Sequence, residues 1–162
     1  MIGATVKKID WKNLSYYDFI GIVAVTAILL FVLYFGWLWH ATYDYRIQMR
    51  DQMVEMYQQL PNPIPPIEDD YGVHKRWLVY CVSGTRKFNR DLKDNEFDLY
   101  GEKLVEQGWQ IDKKYTDSNQ YGKSTCIVLR KGDFVFEITQ WEGKKACEFY
   151  LIKRDWIYNK GF

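Results

Sequence analysis

An uncharged run of apolar residues sets the terms for the whole chain. From Phe19 to His40 it reads FIGIVAVTAILLFVLYFGWLWH, and no Asp, Glu, Lys or Arg occurs between Asp18 and Asp44. A helix rising about 1.5 Å per residue needs roughly 20 apolar residues to cross a hydrocarbon layer about 30 Å thick, so this stretch has the length of a transmembrane helix. Tyr16 and Tyr17 precede it, and Trp37, Trp39 and Tyr43 close it. Rings that carry a polar atom favour the headgroup layer, which places these five residues at the two membrane interfaces. A cleaved signal peptide has an apolar core of about 7–15 residues followed by small side chains. Here WLWHATYDY puts bulky rings in that position, which points to an uncleaved signal anchor. Gly21 and Gly36 form no small-xxx-small pair, so no dedicated helix-pairing face is expected.

Sidedness follows from the flanking cations. Lys7, Lys8 and Lys12 lie before the run, and Arg46 and Arg50 lie just after it. Cytoplasmic flanks are richer in Lys and Arg, so the amino terminus is expected inside and the carboxy-terminal domain outside the cytoplasm.

With 162 residues in all, the remainder can form one small soluble domain. Beyond residue 40 the chain holds 19 Lys and Arg against 19 Asp and Glu. A balanced surface lacks the basic footprint of a nucleic-acid binder, and none is expected as a partner. Aromatic residues make up 18% of the chain, more than an interfacial belt uses, which implies ring-filled core or a ring-rich contact surface.

Residues 1–17 read as a short, mildly basic tail, in which Asn13-Leu14-Ser15 is a formal glycosylation acceptor too near the bilayer to be used. Residues 18–40 are the membrane helix. The segment 41–60 holds no Gly or Pro and is expected to continue it as a juxtamembrane helical stalk. Met49, Met53, Met56 and Leu60 recur at coiled-coil spacing on that stalk, and Tyr43, Ile47, Val54 and Tyr57 make a rival stripe. The soft methionines mark the first stripe as a candidate protein contact. Residues 61–72, PNPIPPIEDDYG, read as a semi-rigid spacer, because proline removes donors and holds the chain extended. Glu68, Asp69 and Asp70 are adjacent, without the alternate spacing of a calcium loop.

The domain is expected over 73–162. RWLVYCVS (76–83) is rich in strand formers, SGTRKFNRDLK (83–93) reads as a polar loop, and Phe97, Tyr100, Gly101, Leu104 and Val105 give a helical period. Asp94 or Asn95 can cap that helix, and Gly108 suits a left-handed residue after it. WQIDKKYTD (109–117) reads as a second strand. CIVLR, DFVFEITQW and ACEFYLIKR then read as an antiparallel meander with turns at Lys131-Gly132 and EGKK. That register pairs Leu129 with Phe134, Ile127 with Phe136, Ile138 with Phe149 and Phe136 with Leu151 on one core face, and leaves Glu137, Thr139 and Glu148 on the other. The expected class is α+β, β-α-β followed by a three-strand meander, with the helix covering one face of a mainly antiparallel sheet. DWIYNKGF closes the chain as an extended tail.

Little in the sequence carries chemistry. His40 and His74 are the only histidines, and no phosphate loop, nucleophile elbow or HExxH motif occurs. No catalytic, cofactor or metal residue is assigned, and no enzyme is expected. Asp98, Glu102 and Glu106 fall on the outer side of the helix, and Arg86, Lys87, Arg90 and Lys93 form the one local basic cluster, read as a solvated loop. Cys81, Cys126 and Cys147 match no zinc spacing; the register separates Cys126 from Cys147, so a bridge would need Cys81.

These readings describe a single-pass, membrane-anchored structural or accessory subunit whose extramembrane domain meets other subunits of a membrane or envelope assembly, with a homo-oligomer also compatible. The alternative is a small-ligand or peptide-binding module that uses the surface around Trp109, Trp141 and Tyr150. An amino-terminal apolar helix running into a stalk and a β-meander also resembles the architecture of type IV pilins. Gly21 precedes the apolar run as at a prepilin cleavage site, while Thr26 stands where that family has Glu and YYDFI supplies no basic residue before the glycine. The resemblance implies a filament subunit.

Overall fold

The computed structural model describes residues 15–120 and 122–160, and the glycosylation acceptor at Asn13 lies outside them. The chain divides into two compact units between Tyr43 and Asp44.

The first unit is built on helix α1, Tyr16–Ala41. It starts with a reciprocal cap: Asp18 N donates to Ser15 Oγ at 3.2 Å, and Ser15 N donates to the Asp18 carboxylate at 3.1 Å. Each group satisfies a donor that the first turn leaves open. Among the described residues α1 is the one helix long and apolar enough to cross a membrane, and none of its most apolar 18-residue window is buried. Tyr17 and Trp37 are 20 residues apart, about 30 Å along a helix axis, which matches a hydrocarbon layer. Tyr16, Tyr17, Trp37, Trp39 and Tyr43 are all exposed.

The helix does not run on unbroken. Thr42 leaves helical geometry at φ −98° and ψ 5°, and its N–H and its hydroxyl both donate to Leu38 O, at 3.0 and 2.8 Å. A threonine hydroxyl that bonds back to the preceding turn competes with the helical ladder. Helix α2, Tyr43–Gln58, follows.

The second unit contains a six-stranded antiparallel sheet, two long helices and one short one, and it is an α+β domain. Its strands are β1 Glu68–Arg76, β2 Val79–Lys87, β3 Gln110–Asn119, β4 Gly122–Lys131, β5 Phe134–Trp141 and β6 Ala146–Lys153, in the spatial order β1-β2-β6-β5-β4-β3. Helix α3, Asp94–Glu106, follows β2, and helix α4, Trp156–Asn159, follows β6. Two strands therefore precede α3, where the sequence suggested one. The spacer ends early because Glu68 to Arg76 pairs residue by residue with Val79 to Lys87. EDDYGVHKR carries no alternating apolar pattern because β1 is an exposed edge strand; backbone bonds and the Asp69–Arg86 and Glu68–Lys87 pairs hold it. The strand expected over 76–83 is cut by the turn Trp77-Leu78, and the polar loop expected at 83–93 is strand as far as Lys87.

One face of the sheet is covered by α2 and α3. Met49, Met53 and Tyr57 of α2 and Phe97, Tyr100 and Leu104 of α3 share a core with Val82, Ile127, Leu129, Phe136, Ile138, Phe149 and Leu151. An exposed stalk over 41–60 is not what forms: residues 44–58 belong to the domain, and three of the four stripe residues are buried, Met49 at 2%, Met53 at 0% and Leu60 at 7% exposure. Burying a methionine side chain contributes about 1.5–3 kcal/mol, which outweighs any gain from leaving the helix solvated. Gly101 lets α3 approach the sheet, with Ile127 Cδ1 3.5 Å from where a Cβ would sit. Lys93, not Asp94 or Asn95, precedes the first turn, and its N–H bonds to Glu96 at 3.0 Å. Gly108 takes φ +88° as its place after the helix requires.

The meander forms as read, with one slip. The β4–β5 turn falls on Gly132-Asp133, so Leu129 faces Phe136 and Ile127 faces Ile138. A shift of two residues keeps every side chain on its face, since the strand period is two. Between β5 and β6 the pairs Ile138–Phe149 and Phe136–Leu151 form as the sequence suggested. The closing tail is not extended, because Asp155 Oδ1 accepts from Ile157 N at 2.9 Å and Tyr158 N at 3.1 Å and caps α4.

Candidate functional site

Helices cover one face of the sheet; the other is hollowed into an open groove of about 610 Å³ over β1, β2, β6 and β5. Two cross-strand rows form its floor. Thr139, Glu148, Thr85 and Asp70 face one another from β5 to β1. The next row is Glu137, Tyr150, Ser83 and Gly72. Gly72 ends its row with no side chain, and the imidazole of His74 lies over it, with Nε2 3.4 Å from where a Cβ would sit.

Asp70, Glu137 and Glu148 are three carboxylates on the groove floor, and no Lys or Arg is among the described residues that line it. The hydroxyls of Ser83, Thr85 and Thr139 supply donors and acceptors between them. Tyr150 is 40% exposed, and burial of its ring, followed by its bond to Cys81, pushes the phenol up to about 12. It therefore stays a neutral hydrogen-bonding group at any physiological pH. Such a surface is complementary to an extended, donor-rich cation such as a Lys or Arg side chain or an amine.

The sequence had already turned Glu137, Thr139 and Glu148 away from the core and had picked out Tyr150. It missed Asp70, His74, Ser83 and Thr85, because those reach the groove through the β1–β2 hairpin and the pairing of β2 with β6. A period-two alternation in VYCVSGTRK was the available signal.

The remaining candidates are dispersed. Trp109 is buried just before β3 with its ring 5.7 Å from that of Phe136. Met49, Met53 and Leu60 are core, and Met56 is half-buried at its margin. Trp141 is half-buried beside a separate hollow of about 310 Å³ at the β4–β5 end, under Lys144 Nζ at 4.6 Å.

The basic cluster resolves into unlike parts. Arg86 is 2% exposed on the core face; its Nε bonds to Asp69 at 3.0 Å, its Nη1 bonds to Pro61 O at 2.8 Å, and its guanidinium lies 4.9 Å from the Phe149 ring. Arg90 instead makes a forked surface pair with Glu96, one arm at 2.6 Å. The acidic run 68–70 lies along β1, where pairing turns Asp69 away from Asp70, and no group of three metal-binding side chains forms among the described residues. Cys81, Cys126 and Cys147 are free thiols, with Cys126 and Cys147 on opposite faces. Comparison with protein families, with curated proteins and with solved structures finds no match to this chain.

Proposed function

We propose that this chain is a single-pass, membrane-anchored binding module, held in lipid by α1, whose open sheet face takes up a cationic extended segment of a partner protein. It acts as an accessory subunit by binding rather than by catalysis. One observation carries the reading: the groove gathers three carboxylates and, among the described residues, no cation, on a chain whose total charge beyond residue 40 is balanced at 19 against 19. The anchoring half is supported by an apolar helix of 26 residues with rings at both ends, none of whose most apolar 18-residue window is buried. The excess of Lys7, Lys8 and Lys12 over Arg46 and Arg50 supports a cytoplasmic amino terminus and an extracytoplasmic domain.

The test is titration of the full-length protein in detergent with Lys- and Arg-bearing peptides and with Glu-bearing peptides of the same length. Basic peptides should bind, and Glu137→Gln with Glu148→Gln should weaken them about five- to tenfold, as one half-buried and one exposed charge pair of up to ~1 kcal/mol each imply. Equal binding of acidic peptides, or indifference to the double variant, rejects the groove as the contact. Protease access to a carboxy-terminal tag in intact cells fixes the sidedness.

A further inference from the structure

The sheet has two edges, and they are unlike. β3 closes one of them, and its pairing with β4 slips between Ile111 and Lys113; a break of that kind spoils an edge as a template for further strands. β1 closes the other and has no such break. It pairs with β2 residue by residue from Glu68 to Arg76 and holds no proline, and no strand among the described residues pairs with its outer side. The backbone groups that β1 turns outward are open to any chain that can match its side chains.

The side chains of β1 match their own reverse. Around Gly72 the strand reads Glu68-Asp69-Asp70-Tyr71 on one side and Val73-His74-Lys75-Arg76 on the other. A second copy laid antiparallel, with a two-fold axis through Gly72, sets Glu68 opposite Arg76, Asp69 opposite Lys75, Asp70 opposite His74 and Tyr71 opposite Val73. No like charges then face one another, whereas parallel pairing in register would set every acid beside its own copy. Rotation about a residue also brings alternate positions onto alternate positions. Each outward N–H therefore meets an outward C=O, and each face of one sheet continues into the same face of the other. At the axis the two backbones meet where neither carries a side chain, a close approach that glycine in a strand permits. Tyr71 and Val73 are 39% and 40% exposed, and a ring opposite a β-branched side chain is a stabilising cross-strand pair. The match is one of order along the strand and needs none of these groups to be idle: Asp69 holds Arg86 at 3.0 Å, Glu68 holds Lys87 at 2.9 Å, and Lys75 Nζ lies 5.6 Å from the Tyr80 ring. A carboxylate can accept from a further donor.

We propose that β1 is a self-recognition edge, through which the sheet domains of two copies of this chain join antiparallel about Gly72 into one continuous sheet. Asp70, Gly72 and His74 also line the groove, so the two grooves meet across the axis on a shared face. The pairing concerns the sheet domain alone and holds whatever the groove binds.

The experiment measures the mass of the full-length protein in detergent by light scattering over a range of concentrations, and a concentration-dependent dimer is expected. Two variants each give the groove side of β1 a single sign: Glu68→Lys with Asp70→Lys, and His74→Glu with Arg76→Glu. Each alone should dimerise about tenfold more weakly or worse, because attraction across the axis becomes repulsion. Mixing the two should restore the dimer, which also shows that both are folded. On a Cys81→Ser background, Gly72→Cys should form an intermolecular disulfide under mild oxidation, since the two positions face each other, while His74→Cys, which faces Asp70 and not itself, should not. A monomer at every concentration overturns the proposal. A dimer that ignores both charge variants, or that fails to cross-link at Gly72→Cys, assigns association to another surface and overturns it too. Weakening without restoration on mixing rejects the register.

Discussion

The ring of Tyr57 lies over the backbone of Gly84, and its hydroxyl occupies the space in which any side chain at position 84 would begin. The same Cβ would stand 2.6 Å from Asp70 O. Helix α2 reaches the sheet only because β2 has no side chain there, and the Tyr57 hydroxyl is buried without a hydrogen-bond partner. Gly84→Ala is expected to destabilise the domain by about 1–3 kcal/mol through overpacking. Tyr57→Phe removes the unpartnered hydroxyl at little or no cost. In that background Gly84→Ala should cost measurably less, and a denaturant double-mutant cycle with no coupling would refute the contact.

Removing either end of the Asp69–Arg86 pair has unequal consequences. Arg86 is 2% exposed and Asp69 33%, so losing the carboxylate strands a buried cation, whereas losing the cation leaves an acid that water can reach. Asp69→Ala is expected to cost about 3 kcal/mol or more and Arg86→Met about 1–2 kcal/mol. Urea unfolding of both variants checks the order, and the reverse order contradicts the burial argument.

Met53 tests whether α2 is core or stalk. At 0% exposure, Met53→Ala should lose about 2–5 kcal/mol, while Gln52→Ala, one residue away and exposed, should stay within about 0.5 kcal/mol. Equal, small effects would mean that α2 is not packed in solution.

Burial pushes the Cys147 thiol up to about 12, against a smaller opposing pull from Arg86. Thiolate is the reacting form, so Cys147 should be silent to a thiol reagent at pH 8 in the native protein and react only after unfolding. Cys81, the one half-exposed thiol of the three, should label first. Native labelling at Cys147, read by peptide mass, would place it outside the core.

Acid stability has a local signature. The bond from Arg90, followed by that from Lys93 N, holds the Glu96 carboxyl at about 2, below its ordinary 4.5. A group whose folded value is depressed stabilises the fold above its unfolded value and loses that contribution as pH falls through the folded one. The difference in melting temperature between the wild type and Glu96→Gln should therefore be full at pH 7, shrink below about 4.5 and vanish near 2. A difference that does not change over that range would exclude the pair as its source.

Much of this architecture is legible residue by residue. The membrane-length helix, α3, β3 and the β5–β6 pairing come from the length and period of apolar runs, which are local properties. The Gly132-Asp133 turn was misplaced by one residue, because Lys131-Gly132 and Gly132-Asp133 are equally good turn dipeptides and only pairing distinguishes them. The burial of α2 was not legible, since its methionine stripe fits a solvated seam as well as a core. The strands it packs on, such as that of Phe149, come some 90 residues later, and loop closure over that distance leaves no local trace.

From the amino acids alone came a helix long and apolar enough to cross a membrane, because the 25 residues between Asp18 and Asp44 carry no Asp, Glu, Lys or Arg. Tertiary structure alone decided which polar residues are buried and which surface stays open. Arg86 enters the core because Asp69 and Pro61, 17 and 25 residues back, come round to bond it. The groove exists because β2 pairs with β6, which gathers Asp70, Glu137 and Glu148 on the face opposite α2 and α3. A charge is stabilised by partners that only the closed chain brings within hydrogen-bonding distance.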